Sequence, residues 1–205
     1  MTGEIDAVSL KAGDWDGAFA AGATPWNTGR PQPAFQRLAQ EGRLAGRVLD
    51  IGCGTGEHAL LAAANGAKAA GVDIAPWAIA QAVEKARERG LTATFIVADA
   101  TALSDVGSFD VVMDSGAFHV FDDAGRSAYV KSLAAVTHPG SMLYLQCFSD
   151  RMPGDWGPRR VRQEELREAF AEGWTIERIE PAAFELAPGN PMPEAAAWLA
   201  TIGRV

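Results

Sequence analysis

The sequence predicts an α/β chain built on a parallel sheet with helices over both faces. Two observations point there. From Arg47 onward, short apolar runs alternate with helical patterns, which is the order of successive β-α-β units. The first run, RVLDI, leads straight into the glycine-rich turn GCGTG, which lets a backbone approach a nucleotide-like ligand. With 205 residues, 48% hydrophobic and 21% charged, the chain is long enough to bury one core, and residues 1–205 are expected to form a single domain.

Each element follows from its local pattern. RVLDI (47–51) reads as the first strand and EHALLAAANG (57–66) as a helix closing on Gly66. KAAGVDI (68–74) is the second strand, and APWAIAQAVEKARERG (75–90) a helix with basic residues and Gly90 at its end, as helix C-termini favour. TATFIVAD (92–99) and FDVVMD (109–114) are the third and fourth strands. GRSAYVKSLAAVT (125–137) is a helix that Pro139-Gly140 is expected to stop, and SMLYLQCFS (141–149) is the fifth strand. RQEELREAFAEG (162–173) reads as an amphipathic helix and WTIERIE (174–180) as a strand. The tail EAAAWLATIGRV fits helix or strand, and a final strand that completes the sheet is preferred. Residues 1–45 precede the sheet, and their stretch DWDGAFAAGATPWNTGRPQP is too apolar for a free tail, so it is expected to cover something.

Ligands of such sheets sit at the carboxyl ends of the strands. Asp50, Asp73, Asp99 and Asp114 all fall on that rim. Gly54-Thr-Gly56-Glu-His-Ala59 satisfies the dinucleotide pattern, and Asp73 follows at about the 20-residue distance of a ribose-binding acid. A dinucleotide is therefore open on the glycines alone. The acids argue otherwise: Glu57 at the helix start and Asp50 before the loop would repel a diphosphate. An acid-lined loop suits a ligand that carries a sulfonium and an ammonium.

VLDIGCGTG, GVDI, ADAT and FDVVMDSGAFH together resemble the motif series of class I S-adenosylmethionine-dependent methyltransferases, over roughly residues 45–150. The resemblance implies a Rossmann-like fold: a seven-stranded, mostly parallel sheet with the last strand antiparallel. It implies S-adenosylmethionine as cofactor, with Asp50 and the loop of Gly52, Gly54 and Gly56 at its methionine part. Asp73, followed by Ile74, would take the ribose, Asp99 with the Ala100 amide would read adenine, and Asp114 would be a further cofactor-binding residue. The leader WDGAFAAGATPWNTGRPQP is similar to that of thiopurine and thiol/halide methyltransferases, which implies a cofactor cover made by Trp15, Phe19 and Trp26. Thiopurine enzymes carry a basic residue directly after the acid of the fourth strand, where this chain has Ser115. DSGAFH instead resembles bacterial small-molecule methyltransferases acting on phenolic, quinoline-type or thiol acceptors, which implies a detoxifying or tailoring role.

On the acceptor side, His119 is the candidate base, since an imidazole accepts a proton near neutral pH. Ser115, Phe118, Phe148, Met152 and Trp156 are expected to line the pocket, with the connection 148–160 as a lid and Arg159 and Arg160 facing solvent. Net charge is −8 with no basic stripe, which argues against nucleic acid as a partner. Three dispersed histidines and two distant cysteines lack metal-ligand spacing, so no metal is expected. The start lacks a secretory pattern and no apolar run is long enough for a membrane span, so a cytoplasmic location is expected.

Overall fold

The computed structural model describes residues 14–22, 24–154, 157–188, 190, 192 and 194–205. Seven strands form one sheet: β1 (Arg47–Ile51), β2 (Lys68–Asp73), β3 (Ala93–Val97), β4 (Phe109–Ser115), β5 (Thr137–Phe148), β6 (Trp174–Glu185) and β7 (Glu194–Arg204). Their order is β3-β2-β1-β4-β5-β7-β6. The first five pair in parallel, and β7 runs antiparallel to both β5 and β6. The tail is thus the antiparallel last strand, as expected. The strand order reverses between β1 and β4, so the crevice at a topological switch point opens above those two carboxyl ends.

The helices are α1 (Trp15–Ala20), α2 (Pro33–Gln40), α3 (Glu57–Ala64), α4 (Pro76–Glu88), α5 (Asp123–Ala135) and α6 (Gln163–Ala169). Alternation along β1 explains the two covered faces: Val48 packs with Phe35, Leu38, Ala62 and Tyr144 beneath α2 and α3. Leu49 and Ile51 join Tyr129, Leu133, Leu166 and Phe170 beneath α5 and α6. Each fully buried Leu or Phe contributes roughly 1.5–3 kcal/mol, which is what holds helices of this modest length to the sheet.

Two local expectations are corrected. Pro139-Gly140 does not stop a helix before a strand; it lies inside β5, where Gly140 takes φ 93°. There β5 runs from Thr137 to Met142 while β4 advances only from Phe109 to Val111. The pair makes a bulge near the strand's start, with the Ser141 hydroxyl accepting from the His138 amide and donating to the Phe109 carbonyl. The leader also holds α2, an unexpected helix with Pro33 in its first turn and Phe35 and Leu38 on its buried face.

Candidate functional site

The glycine turn after β1 is built by conformation first. Gly52, Gly54 and Gly56 have φ of 66°, 51° and 86°, the left-handed region that a side chain makes costly. Their surroundings differ. A Cβ on Gly56 would lie 2.8 Å from the Ala82 Cβ and 2.9 Å from the Phe95 ring, and one on Gly52 would lie 2.9 Å from the Ala117 Cβ. A Cβ on Gly54 would meet only the tip of Phe19, at 3.2 Å. Gly56 therefore lets α4 and β3 close on the loop, Gly52 lets the β1 and β4 loops touch, and Gly54 is the glycine open toward the leader.

The rim acids also divide. Asp50 is buried, its Oδ2 accepts the Ala59 amide at 3.0 Å, and Oδ1 has no partner. Burial raises its carboxyl well above the ordinary range, with the Asp73 and Asp114 carboxylates adding to the effect. Asp73 takes the Gly54 amide on Oδ2 at 2.8 Å and the Ala75 amide on Oδ1 at 2.9 Å, fixing the loop and the start of α4 together. Beside it Ile74 and Val97, at the ends of β2 and β3, are large apolar residues left half open. Asp99 is exposed and caps its own turn through Oδ1, which accepts from the Thr101 amide and hydroxyl. Ala100 follows half-buried.

Asp114 is placed otherwise than the cofactor contact expected of it. Its Oδ1 accepts the Ala117 amide at 2.7 Å, and its Oδ2 accepts the Phe118 amide and the Tyr129 hydroxyl at 3.0 and 2.6 Å. These donors moderate the rise that burial causes, leaving the carboxyl at about 6. The group braces the loop after β4. Glu57 is likewise turned from the ligand side: it pairs with Lys85 at 2.8 Å and bidentately with Arg89 at 2.8 and 2.9 Å on α4. Its charge is spent within the fold, so it does not repel an anion at the loop.

The leader crosses the rim as a strap. At one end Asp16 accepts the Trp77 amide, Phe19 stacks on Trp77 at 6.5 Å, and Trp26 meets Trp15 and Phe19 edge-on at 5.9 and 6.3 Å. In the middle Asn27 accepts from the Thr55 hydroxyl, and the Gln32 amide donates to His58 Nε2. At the other end Pro25 accepts the Ala187 amide, and the Gln32 side chain both accepts from and donates to the Glu185 backbone. The sequence analysis missed Trp77, Asn27 and Gln32; only Trp77, an aromatic in the first turn after the second rim acid, carried a usable signal.

Beyond β4, Ser115 sits half-buried, paired in register with Gln146 of β5. A short 3-10 turn (Phe118–Val120) then sends two neighbouring rings to opposite places. Phe118 enters the main core between Tyr129 and Phe170, with the Arg126 guanidinium 4.5 Å over its ring, so it is not a pocket residue. His119 stands against Phe148 at 4.7 Å and Phe184 at 5.8 Å, at the edge of an apolar cluster of Phe148, Met152, Phe184, Leu186 and Ala195. Trp156 lies outside the described residues.

His119 Nδ1 accepts the Phe148 amide at 2.9 Å. Burial, followed by the positive charges of Arg126 and Arg160, pushes the imidazole down to about 3. The ring is neutral with its proton on Nε2, and it cannot take a second proton on Nδ1 without losing that amide. This geometry argues against the general base expected of His119, because the ring offers an N–H at Nε2 in place of a free lone pair. Arg159 is exposed, as expected, and bridges Asp123 and Glu165, whereas Arg160 is half-buried and binds the carbonyls of Pro153, Gly154 and Pro158, bracing the connection after β5.

Comparison with known proteins adds to this geometry. A family model described as a methyltransferase domain matches residues 48–140. The chain is 39% identical over 166 residues to a 2-heptyl-1-hydroxyquinolin-4(1H)-one methyltransferase of Mycobacteroides abscessus, covering 79% of this chain and 73% of that protein. It is 29% identical over 140 residues to a probable thiol methyltransferase 2 of Arabidopsis thaliana, covering 67% of this chain and 62% of that one. A solved structure described as "Conversion of a Disulfide Bond into a Thioacetal Group during Echinomycin Biosynthesis" superposes with a TM-score of 0.83 at 36% identity, over 91% of this chain and 90% of that one.

Proposed function

The chain belongs to the class I S-adenosylmethionine-dependent methyltransferases that act on small molecules, and from that premise we propose that it methylates sulfur or oxygen of an aromatic, heterocyclic or thiol acceptor. The dinucleotide alternative falls with the family. One observation carries the proposal: at the end of β5 and β6 the rings of Phe148 and Phe184 pack with Met152 into an apolar cluster, with His119 as its polar edge. Such a lining suits a flat apolar ligand held by few polar contacts. Two relatives support the choice of atoms, one acting on a hydroxyquinolone and one on a thiol.

S-adenosylmethionine supplies a methyl group activated by its sulfonium. The residues present fit it: Oδ1 of Asp50, without a partner among the described residues, is a buried acceptor for an ammonium, and the Gly54 backbone meets only the Phe19 ring tip where a side chain would stand. In this reading Asp73 keeps lone pairs for ribose hydroxyls. Ile74 flanks the adenine ring, and Asp99 Oδ2 and the Ala100 amide read its edge. Trp15, Phe19 and Trp26 exclude water above the loop, and ring faces toward the sulfonium favour its charge. Holding the acceptor atom in line does most of the catalytic work. A tailoring or detoxifying role fits an activity of this kind.

A panel of N-hydroxyquinolones, phenols and thiols, followed as S-adenosylhomocysteine release, tests the proposal. Turnover of at least one N-hydroxy heterocycle or thiol is expected. Tight S-adenosylhomocysteine binding with no turnover of any member would leave a binding protein in place of the enzyme.

A further inference from the structure

The His119 geometry constrains the acceptor beyond its choice of atom. Nδ1 is occupied by the Phe148 amide, and among the described residues Nε2 has no hydrogen-bond partner. Nε2 is aimed at the loop after β4: it lies 3.3 Å from where a Cβ of Gly116 would be, with the Phe184 ring tip 3.7 Å from the same point. Gly116 has φ 97°, so a side chain is disfavoured there, and its Cβ would crowd Nε2. An N–H thus faces the Gly116 backbone beside the Phe184 ring at the carboxyl rim.

The titratable groups around His119 come from every element packed against it. From β4, Asp114 is filled by the Ala117 and Phe118 amides and by Tyr129, which itself donates from α5. From α5, Arg126 sends Nη1 to Glu165 of α6, while its buried Nε and Nη2 have no partner. From the connection after β5, Arg160 contributes a second positive charge, and Asp150 accepts from the Trp198 indole. Phe148 of β5 and Phe184 of β6 add only rings and an amide. The charged groups acting on the imidazole are both cations, and among the described residues no free carboxylate or second imidazole is placed to receive a proton.

We propose that His119 donates from Nε2 to an acceptor already bound as its anion, so that the enzyme selects acceptors that ionise unaided near neutral pH: thiols, N-hydroxy heterocycles and acidic phenols, not alcohols or amines. This rests on the methyltransferase reading above. The reaction balances without a protein base. The acceptor's proton is lost to water before binding, its lone pair forms the bond to the methyl carbon, and the C–S bond breaks with its electron pair returning to sulfur. His119 is a catalytic residue in the sense that it touches the reacting atom, and it holds its own proton throughout.

The test uses 4-nitrobenzenethiol and 4-nitrophenol, whose anions are coloured, bound to protein saturated with S-adenosylhomocysteine. Spectroscopic titration of the wild type is expected to give a bound-probe pKa lowered by about one unit, a tenfold preference for the anion. His119→Leu abolishes the shift, and His119→Gln, which keeps an N–H near Nε2, restores part of it. Calorimetry with S-adenosylhomocysteine checks that each variant is folded, and the nitrogen NMR shifts of wild-type His119 report the Nε2–H tautomer directly. A bound-probe pKa equal to or above the free value, failure of both anions to bind, or an Nδ1–H tautomer overturns the inference. Loss of S-adenosylhomocysteine binding by the wild type would instead overturn the methyltransferase reading, so the two failures are distinct.

Discussion

Alanine in place of two glycines of the same turn separates packing from ligand contact. At Gly56 the new Cβ would stand under 3 Å from both Ala82 and Phe95, at φ 86°. The left-handed backbone costs about 1–2 kcal/mol and overpacking against a buried helix–strand contact about 1–3 kcal/mol more, so Gly56→Ala is expected to lose roughly 2–5 kcal/mol of stability. At Gly54 the contact is the tip of Phe19 at 3.2 Å with φ 51°, a ring that can turn aside. Gly54→Ala is expected to lose only about 1–2 kcal/mol but to weaken S-adenosylhomocysteine binding more than tenfold. Urea unfolding of the ligand-free proteins and calorimetry of the ligand give the two numbers separately. If Gly56→Ala unfolds within about 1 kcal/mol of wild type, the packing role assigned to Gly56 is wrong. Normal ligand affinity in Gly54→Ala would refute the open cradle.

Two further outcomes follow from the rim and from α6. Asp73→Ala removes the acceptor of the Gly54 and Ala75 amides, so S-adenosylhomocysteine affinity is expected to fall by at least about tenfold; near-normal affinity by calorimetry would sink the ribose assignment. Burial alone would raise Glu165, but the Arg162 amide and side chain with Arg159 and Arg126 outweigh it and hold the carboxyl at about 2, below its ordinary 4.5. A depressed carboxyl stabilises above its unfolded value and loses that stability as pH falls from 4.5 toward 2, a contribution of about 2–4 kcal/mol at neutral pH. Glu165→Gln is therefore expected to be less stable at pH 7, with the gap to wild type closing between pH 5 and 2. A gap that does not change with pH would mean that packing, not charge, carries the effect.

The strands were legible because each is an apolar run ending in an acid or a turn signal, and the parallel sheet fixes where their carboxyl ends meet. The last strand was legible only by asking what completes the sheet, since EAAAWLATIGRV satisfies either period. What stayed hidden was set by distant partners. Glu57 looks like a helix-start acid facing a ligand; its direction is decided by Lys85 and Arg89 on α4. Asp114 looks like its three neighbours on the rim, yet Tyr129 and two loop amides claim both oxygens. The histidine's tautomer depends on the Phe148 amide on the next strand. Pro139-Gly140 signals a break in any sequence, and only the extra chain length in β5 tells a bulge from a loop.

The leader strap joins the two ligand compartments through one stretch of backbone. Its far end is tied to Glu185, the residue beside the Phe184 ring that flanks His119. Its near end lays Phe19 over Gly54. Between the two, Asn27 holds the Thr55 hydroxyl of the glycine turn, and the Gln32 amide donates to His58 just after that turn. An acceptor that stiffens the Phe184 side is therefore expected to change the affinity for S-adenosylhomocysteine, which calorimetry with and without acceptor measures. Thermodynamic reciprocity requires the nucleoside to return the same factor to the acceptor.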